Sequence, residues 1–242
     1  MERREFLKIL GITTLISPSF ALDNKDIFLN KKEISLLLSV LNKLNKIQSI
    51  VGYGNFNIIG FDKSLKIAKN YSFPFTKEEL NFIEKIFYEN QEKYNFFGKK
   101  TISNLTSEIN PKEIVKIKGT GHYLFKHSLN TYHKMLKDVD NIHLTSGVRS
   151  VVKQMKLYLG KIYRSNGNVT KAIRSIVPPA YSYHSIGDFD VGRIDWGYKN
   201  FTAQFGNTPQ YKKICKLNYI KIRYTKNNRD GVRFEPWHIT IV

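Results

Sequence analysis

The stretch Asp230-Gly-Val-Arg-Phe-Glu-Pro-Trp-His-Ile239 crowds an acid, a proline, a tryptophan and a histidine into four positions, Glu235 to His238. A neutral imidazole is a metal ligand, and a glutamate beside it can exchange protons with water. The same stretch shapes the fold. Residues 219–224 alternate apolar and polar as a strand does, 227–231 form a turn, and 232–242 return as the final strand. On a regular strand, side chains three apart face opposite sides, so Glu235 and His238 would not meet. Pro236 therefore predicts an irregular strand here, through a bulge or an edge position. Upstream, Tyr181-Ser-Tyr-His-Ser-Ile-Gly-Asp-Phe-Asp-Val-Gly192 supplies His184 and two carboxylates, Asp188 and Asp190. Two histidines and one carboxylate leave the fourth position of a tetrahedral zinc open, the ligand count of a catalytic site rather than a structural one.

Composition sets the outer limits. The chain has 242 residues, 41% of them hydrophobic, which is enough to bury a sizeable core. Its formal net charge of +19 favours polyanions such as nucleic acid, anionic lipid or a carboxylate-rich cell wall. A solvated lysine-rich surface explains most of that charge, and no recognisable nucleic-acid module singles out DNA or RNA. The single cysteine, Cys215, excludes an internal disulfide and a cysteine-based zinc cluster; its apolar-basic surroundings predict a core residue.

Residues 1–21 combine a basic start, a short apolar run and small residues at Ser19 and Ala21, the pattern of an export signal peptide. Arg3-Arg4 followed by Phe6, Leu7 and Lys8 resembles the twin-arginine motif, with Glu2 in place of the usual Ser or Thr. The run is too short and too polar for a transmembrane anchor, so a periplasmic location is expected. Residues 22–120 read as mostly helical: 31–48 carry apolar residues at helical spacing, and Thr76 with Glu79 forms a capping-box pattern. Residues 51–60 read as loop and short strand, and 95–118 as irregular. The remaining 121–242 hold a helix over 130–138, a strand from Asn141, and a second helix from Val148 with Ser150 near its N-cap. Residues 198–205 and 211–217 fit either class.

Ser146-Gly-Val-Arg149-Ser150, then Gln154, then Ser182-x-His184-x-x-Gly187 with a following aspartate, then Glu235-Pro-Trp-His238, occur in the order of a known family. They resemble the zinc D-alanyl-D-alanine carboxypeptidases of the VanY and VanX type (peptidase family M15), which share a fold with the Hedgehog signalling domain. The resemblance spans roughly the C-terminal half. It implies an α+β fold, a small antiparallel sheet flanked by helices, preceded here by the helical N-terminal region. It makes His184 and His238 zinc ligands and Glu235 the general base and acid. Arg149 would hold a substrate carboxylate or the developing oxyanion, with Ser150 and Gln154 shaping that pocket; a structural ion pair is the alternative for Arg149. The family's metal aspartate falls seven residues after the first histidine, a position that here is Val191. Asp190 is favoured for the role because Val191 then supplies the usual Asp-Val ending, leaving Asp188 as a supporting or surface residue. The implied function is a zinc peptidase acting on peptidoglycan stem peptides, most simply a carboxypeptidase removing a C-terminal D-amino acid. The alternatives are a peptidoglycan endopeptidase and a non-catalytic zinc-containing wall-binding protein.

Overall fold

The computed structural model describes residues 26–242, so the expected signal over 1–21 lies outside the described residues. Among the described residues eight α-helices follow in chain order: α1 (Lys31–Val51), α2 (Tyr53–Phe56), α3 (Phe61–Asn70), α4 (Lys77–Tyr88), α5 (Lys126–Asp138), α6 (Val151–Arg164), α7 (Val169–Ile173) and α8 (Pro209–Ile214). The strands are β1 (Ile114–Ile117), β2 (His122–Phe125), β3 (Ile142–Ser146), β4 (Phe189–Arg193), β5 (Ile220–Ile222) and β6 (His238–Ile241). β1 and β2 form a hairpin, and the other four make an antiparallel sheet in the order β3-β4-β6-β5. This is the expected α+β arrangement with a helical N-terminal region.

Local chemistry accounts for the principal helix starts. Asn30 and Glu33 close a capping box at α1, and Thr76 and Glu79 close the expected one at α4. Leu37, Val40, Leu44 and Ile47 recur on one face of α1 and are buried; α1 lies along α6. They join Val151, Val152, Met155, Tyr158 and Ile162 of α6 in the larger of two cores. The smaller core lies on the four-stranded sheet, where Leu144, Phe189, Val191, Trp237 and Ile239 pack with Tyr132 and Met135 of α5.

Several expectations need correcting. The strand anticipated within 51–60 is absent, and Tyr53–Phe56 is a helical turn instead; a short apolar run does not distinguish the two classes by periodicity. The irregular region 95–118 ends in β1, and α5 begins at Lys126 rather than 130. Cys215 is exposed, because α8 turns Ile214 inward and leaves its neighbour on the outer face. The final strand is shorter than 232–242, since residues up to Trp237 are turn and loop. Residue 120 itself lies in the turn of the β1–β2 hairpin, and the larger core is built from residues on both sides of it.

Because that core is shared, Leu37→Ala should cost about 2–5 kcal/mol. Thermal unfolding followed by far-UV dichroism and by the fluorescence of Trp196 and Trp237 should still give one coincident transition; two separated transitions would mean independently folding halves.

Candidate metal centre

Asp190 sits in the middle of the site because β4 lies between β3 and β6. Its Cα partners are Ser146 on one side and His238 on the other. Side chains of directly opposed residues share a sheet face, so the Asp190–His238 pairing is built into the strand register. A register shift between Leu144 and Ser146 re-aims the end of β3 and the loop that follows it. His184 comes from the short helical turn Tyr183–Ser185 just before β4. Its Nδ1 lies 2.9 Å from the carbonyl of Gly147, and its own carbonyl accepts from the Arg149 amide at 3.4 Å. Gly147 is required by the close approach of β2 on its other side: a Cβ there would lie 2.0 Å from the Tyr123 carbonyl oxygen.

The backbone between Glu235 and His238 is not extended. The His238 N–H donates to the Glu235 carbonyl at 3.1 Å, a three-residue turn that puts both side chains on one side. His238 Nδ1 is 3.5 Å from Glu235 Oε2 and 3.5 Å from Asp190 Oδ1, while His184 Nε2 is 3.4 Å from Asp190 Oδ2. His184, Asp190 and His238 are all buried, and each offers one ligand atom within 4.8 Å of the others. Adjacent ligands around a tetrahedral zinc at its usual bond lengths stand roughly 3.3 Å apart. The spacings match. Asp190 Oδ1 is buried without a hydrogen-bond partner, an acceptor left over for a cation.

Charge supports the same assignment. Burial pushes the Glu235 carboxyl up, against the lowering influence of His238. Burial also opposes the charged form of His238, but Asp188, Glu235 and Asp190 outweigh it and lift the imidazolium to about 9. His184 goes the other way, down to about 4, through burial and the Arg149 charge. Burial opposes ionisation of Asp190, yet His184, Arg149 and His238 hold its carboxyl well below the usual range. Asp190 and Glu235 thus meet His184 and His238 on the cleft wall, with Asp188 behind His238, the mixed carboxylate and imidazole donor set that a divalent cation takes.

Asp188 takes a different place. It accepts from Arg223 at 2.7 and 3.0 Å in a two-pronged pair, and its Oδ2 lies 3.1 Å from His238 Nε2. It therefore holds the ring of His238 from behind and leaves Nδ1 facing Asp190 and Glu235. Arg149 donates to Ser146 Oγ at 2.9 Å, to Asp190 Oδ2 at 2.8 Å and to Gln154 Oε1 at 3.4 Å. Gln154 also donates to the Val177 carbonyl at 2.8 Å. Arg149, Gln154, His184, Asp190, Glu235 and His238 all line one cleft of about 370 Å³. Ser150 does not: it is the buried N-cap of α6, accepting from the Lys153 amide. Sequence reasoning missed Arg223, Tyr53 and Lys153. The polar phase of the 219–224 alternation contained Arg223, whereas nothing local to Tyr53 signals its place on the cleft wall.

A family model described as VanY, D-alanyl-D-alanine carboxypeptidase, matches residues 121–242. No curated protein matches the chain. Among solved structures, the chain is similar to the vancomycin-resistance D,D-pentapeptidase VanY of a VanB-type cassette in complex with Zn(II), at 19% identity over 54% of this chain and 78% of that one, TM-score 0.42. VanYB in complex with D-alanine-D-alanine aligns at 19% identity over 58% and 84%, TM-score 0.42. The LdcB LD-carboxypeptidase aligns at 22% identity over 55% and 83%, TM-score 0.34.

Metal analysis of the purified chain should find about one zinc per molecule. His184→Ala, Asp190→Ala and His238→Ala should each abolish it, whereas Asp188→Ala should weaken affinity by about 10–100-fold without removing the site. Zinc lost with Asp188→Ala but kept in Asp190→Ala would reverse the assignment of the two acids.

Proposed function

The chain belongs to the VanY family of D-alanyl-D-alanine carboxypeptidases, and on that footing we propose that it is a zinc carboxypeptidase that removes the C-terminal D-amino acid from peptidoglycan stem peptides. The observation that carries this reading is the buried set His184, Asp190 and His238 with Glu235 beside it at one cleft. A protein that only bound the wall would have no use for a buried glutamate beside the metal ligands whose carboxyl burial pushes up.

His184, Asp190 and His238 would hold the metal. Bound zinc supplies Lewis-acid polarisation of the scissile carbonyl and lowers the pKa of water from 15.7 to about 7. The chain's own residues handle orientation and the proton. Arg149 and Asp188 fix the Asp190 carboxylate and the His238 ring through the hydrogen bonds described above. Glu235 Oε2 takes a proton from the attacking water and passes it to the leaving nitrogen. The C–N bond breaks, the hydroxyl remains on the carbonyl carbon, and the amino acid departs with the transferred proton. Raising the Glu235 carboxyl makes its ionised form a stronger base towards water, and the proton it takes can then be passed on to the leaving nitrogen.

We also propose that the chain is exported to the periplasm through the signal read in residues 1–21, where its substrate would be found. Replacing Arg3 and Arg4 by Lys should block export by the twin-arginine route; normal export of that variant would point to general secretion.

Incubating purified muropeptides with the protein should shorten pentapeptide stems by the mass of one terminal amino acid, with cross-links left intact. Glu235→Gln should retain zinc and fold but lose about 10²–10⁴-fold in kcat. Unchanged turnover in that variant would remove Glu235 from the mechanism, and cleaved cross-links would make the protein an endopeptidase.

A further inference from the structure

Lys153 is an anomaly in this cleft. It lies one turn beyond Arg149, in the first turn of α6, and is only 7% exposed. Its Nζ stands 4.5 Å from the centre of the Tyr53 ring and 5.9 Å from that of Phe56. Among the described residues no carboxylate pairs with that ammonium and no group accepts a hydrogen bond from it. Arg149 and Arg223 are matched by Asp190 and Asp188, and the Lys156 ammonium donates to the Gln48 side chain at 2.8 Å; Lys161 and Arg164 also line the cleft without a carboxylate partner among those residues but are more exposed.

Everything around Lys153 disfavours a charge left alone. Burial, together with Arg149 and Lys156, pulls its ammonium down to about 7. The first turn of a helix is also the wrong end of the dipole for a cation. Cation–π contact with Tyr53 offsets only part of the cost. An uncompensated buried ammonium that lines an open cleft is a site for an anion, and a carboxylate is the anion a peptide brings. Arg149 is a poorer candidate, because three of its donors are already committed to Ser146, Gln154 and Asp190.

We infer that Lys153 is the specificity-determining cation that binds the free terminal carboxylate of the peptide, with Tyr53 walling that end of the cleft. The inference rests on the peptidase reading and adds to it the element that separates a terminal from an internal bond. It also gives residues 26–120 a part in recognition, since Tyr53 precedes the region matched by the family.

The test uses the zinc-loaded full chain carrying Glu235→Gln, so that ligands bind without being cut. Two synthetic stem peptides ending in D-alanyl-D-alanine, one with a free carboxylate and one with a carboxamide, are titrated by calorimetry. The parent should prefer the acid by at least about tenfold, the scale of a hydrogen bond between charged partners. Lys153→Met, which keeps the length and removes the charge, should bring the ratio close to one; Lys153→Arg should restore it. Zinc content should not change, and loss of an unpaired buried charge should raise the Tm of Lys153→Met. Should that variant fail to fold, Lys153→Gln is the substitute. A preference that survives loss of the charge overturns the inference, as does equal binding of both peptides by the parent. Binding of neither peptide by the parent overturns the peptidase reading itself.

Discussion

The pairing of β4 with β6 is the constraint on which the rest of the site depends. It sets Asp190 opposite His238, and one further ladder partner, Ser146 on β3, brings the Arg149 loop to the same point. A shift of one residue in that register would turn Asp190 to the other face and put Val191 in its place. The four-stranded sheet and its small core serve to make such a slip costly: Phe189, Val191 and Ile239 are fully buried on the opposite face.

Around that register the buried charges are balanced in pairs, and the imbalance that remains is informative. Asp188 is matched by Arg223, and Asp190 in part by Arg149, yet Asp190 Oδ1 is left without a hydrogen-bond partner. A buried carboxylate oxygen without a partner is expensive, so it marks where a metal belongs. A few residues along the cleft the imbalance has the opposite sign at Lys153, and the missing partner there is an anion. The cleft thus carries a negative end suited to a cation and a positive end suited to a carboxylate.

The helical region before residue 120 takes part in both the packing and the cleft. α1 shares the larger core with α6, and α6 bears Ser150, Lys153 and Gln154. The Ser150 amide donates to the Asn57 carbonyl at 2.7 Å, which ties the α6 cap to the segment after α2. Tyr53 meets the cleft from this side and leaves its hydroxyl 3.4 Å from His122 Nε2.

Local sequence by itself determined much of this protein. The capping box at Thr76 and the periodicity of α1 are short-range patterns that appear as read, and the alternation over 219–224 appears as the shorter strand Ile220–Ile222. The identities of His184, Asp190, Glu235 and His238 were legible because they sit in compact motifs whose order along the chain carries information. Tertiary structure alone decided how they meet. Only the strand register shows that Asp190, rather than Asp188, stands directly opposite His238, and only the turn at Pro236 reconciles a three-residue spacing with a common side. Arg223 behind Asp188 and Tyr53 beside Lys153 are contacts between residues 35 and about 100 positions apart. Sequence patterns register neighbours along the chain, and such contacts depend on loop closure and on packing in a shared core.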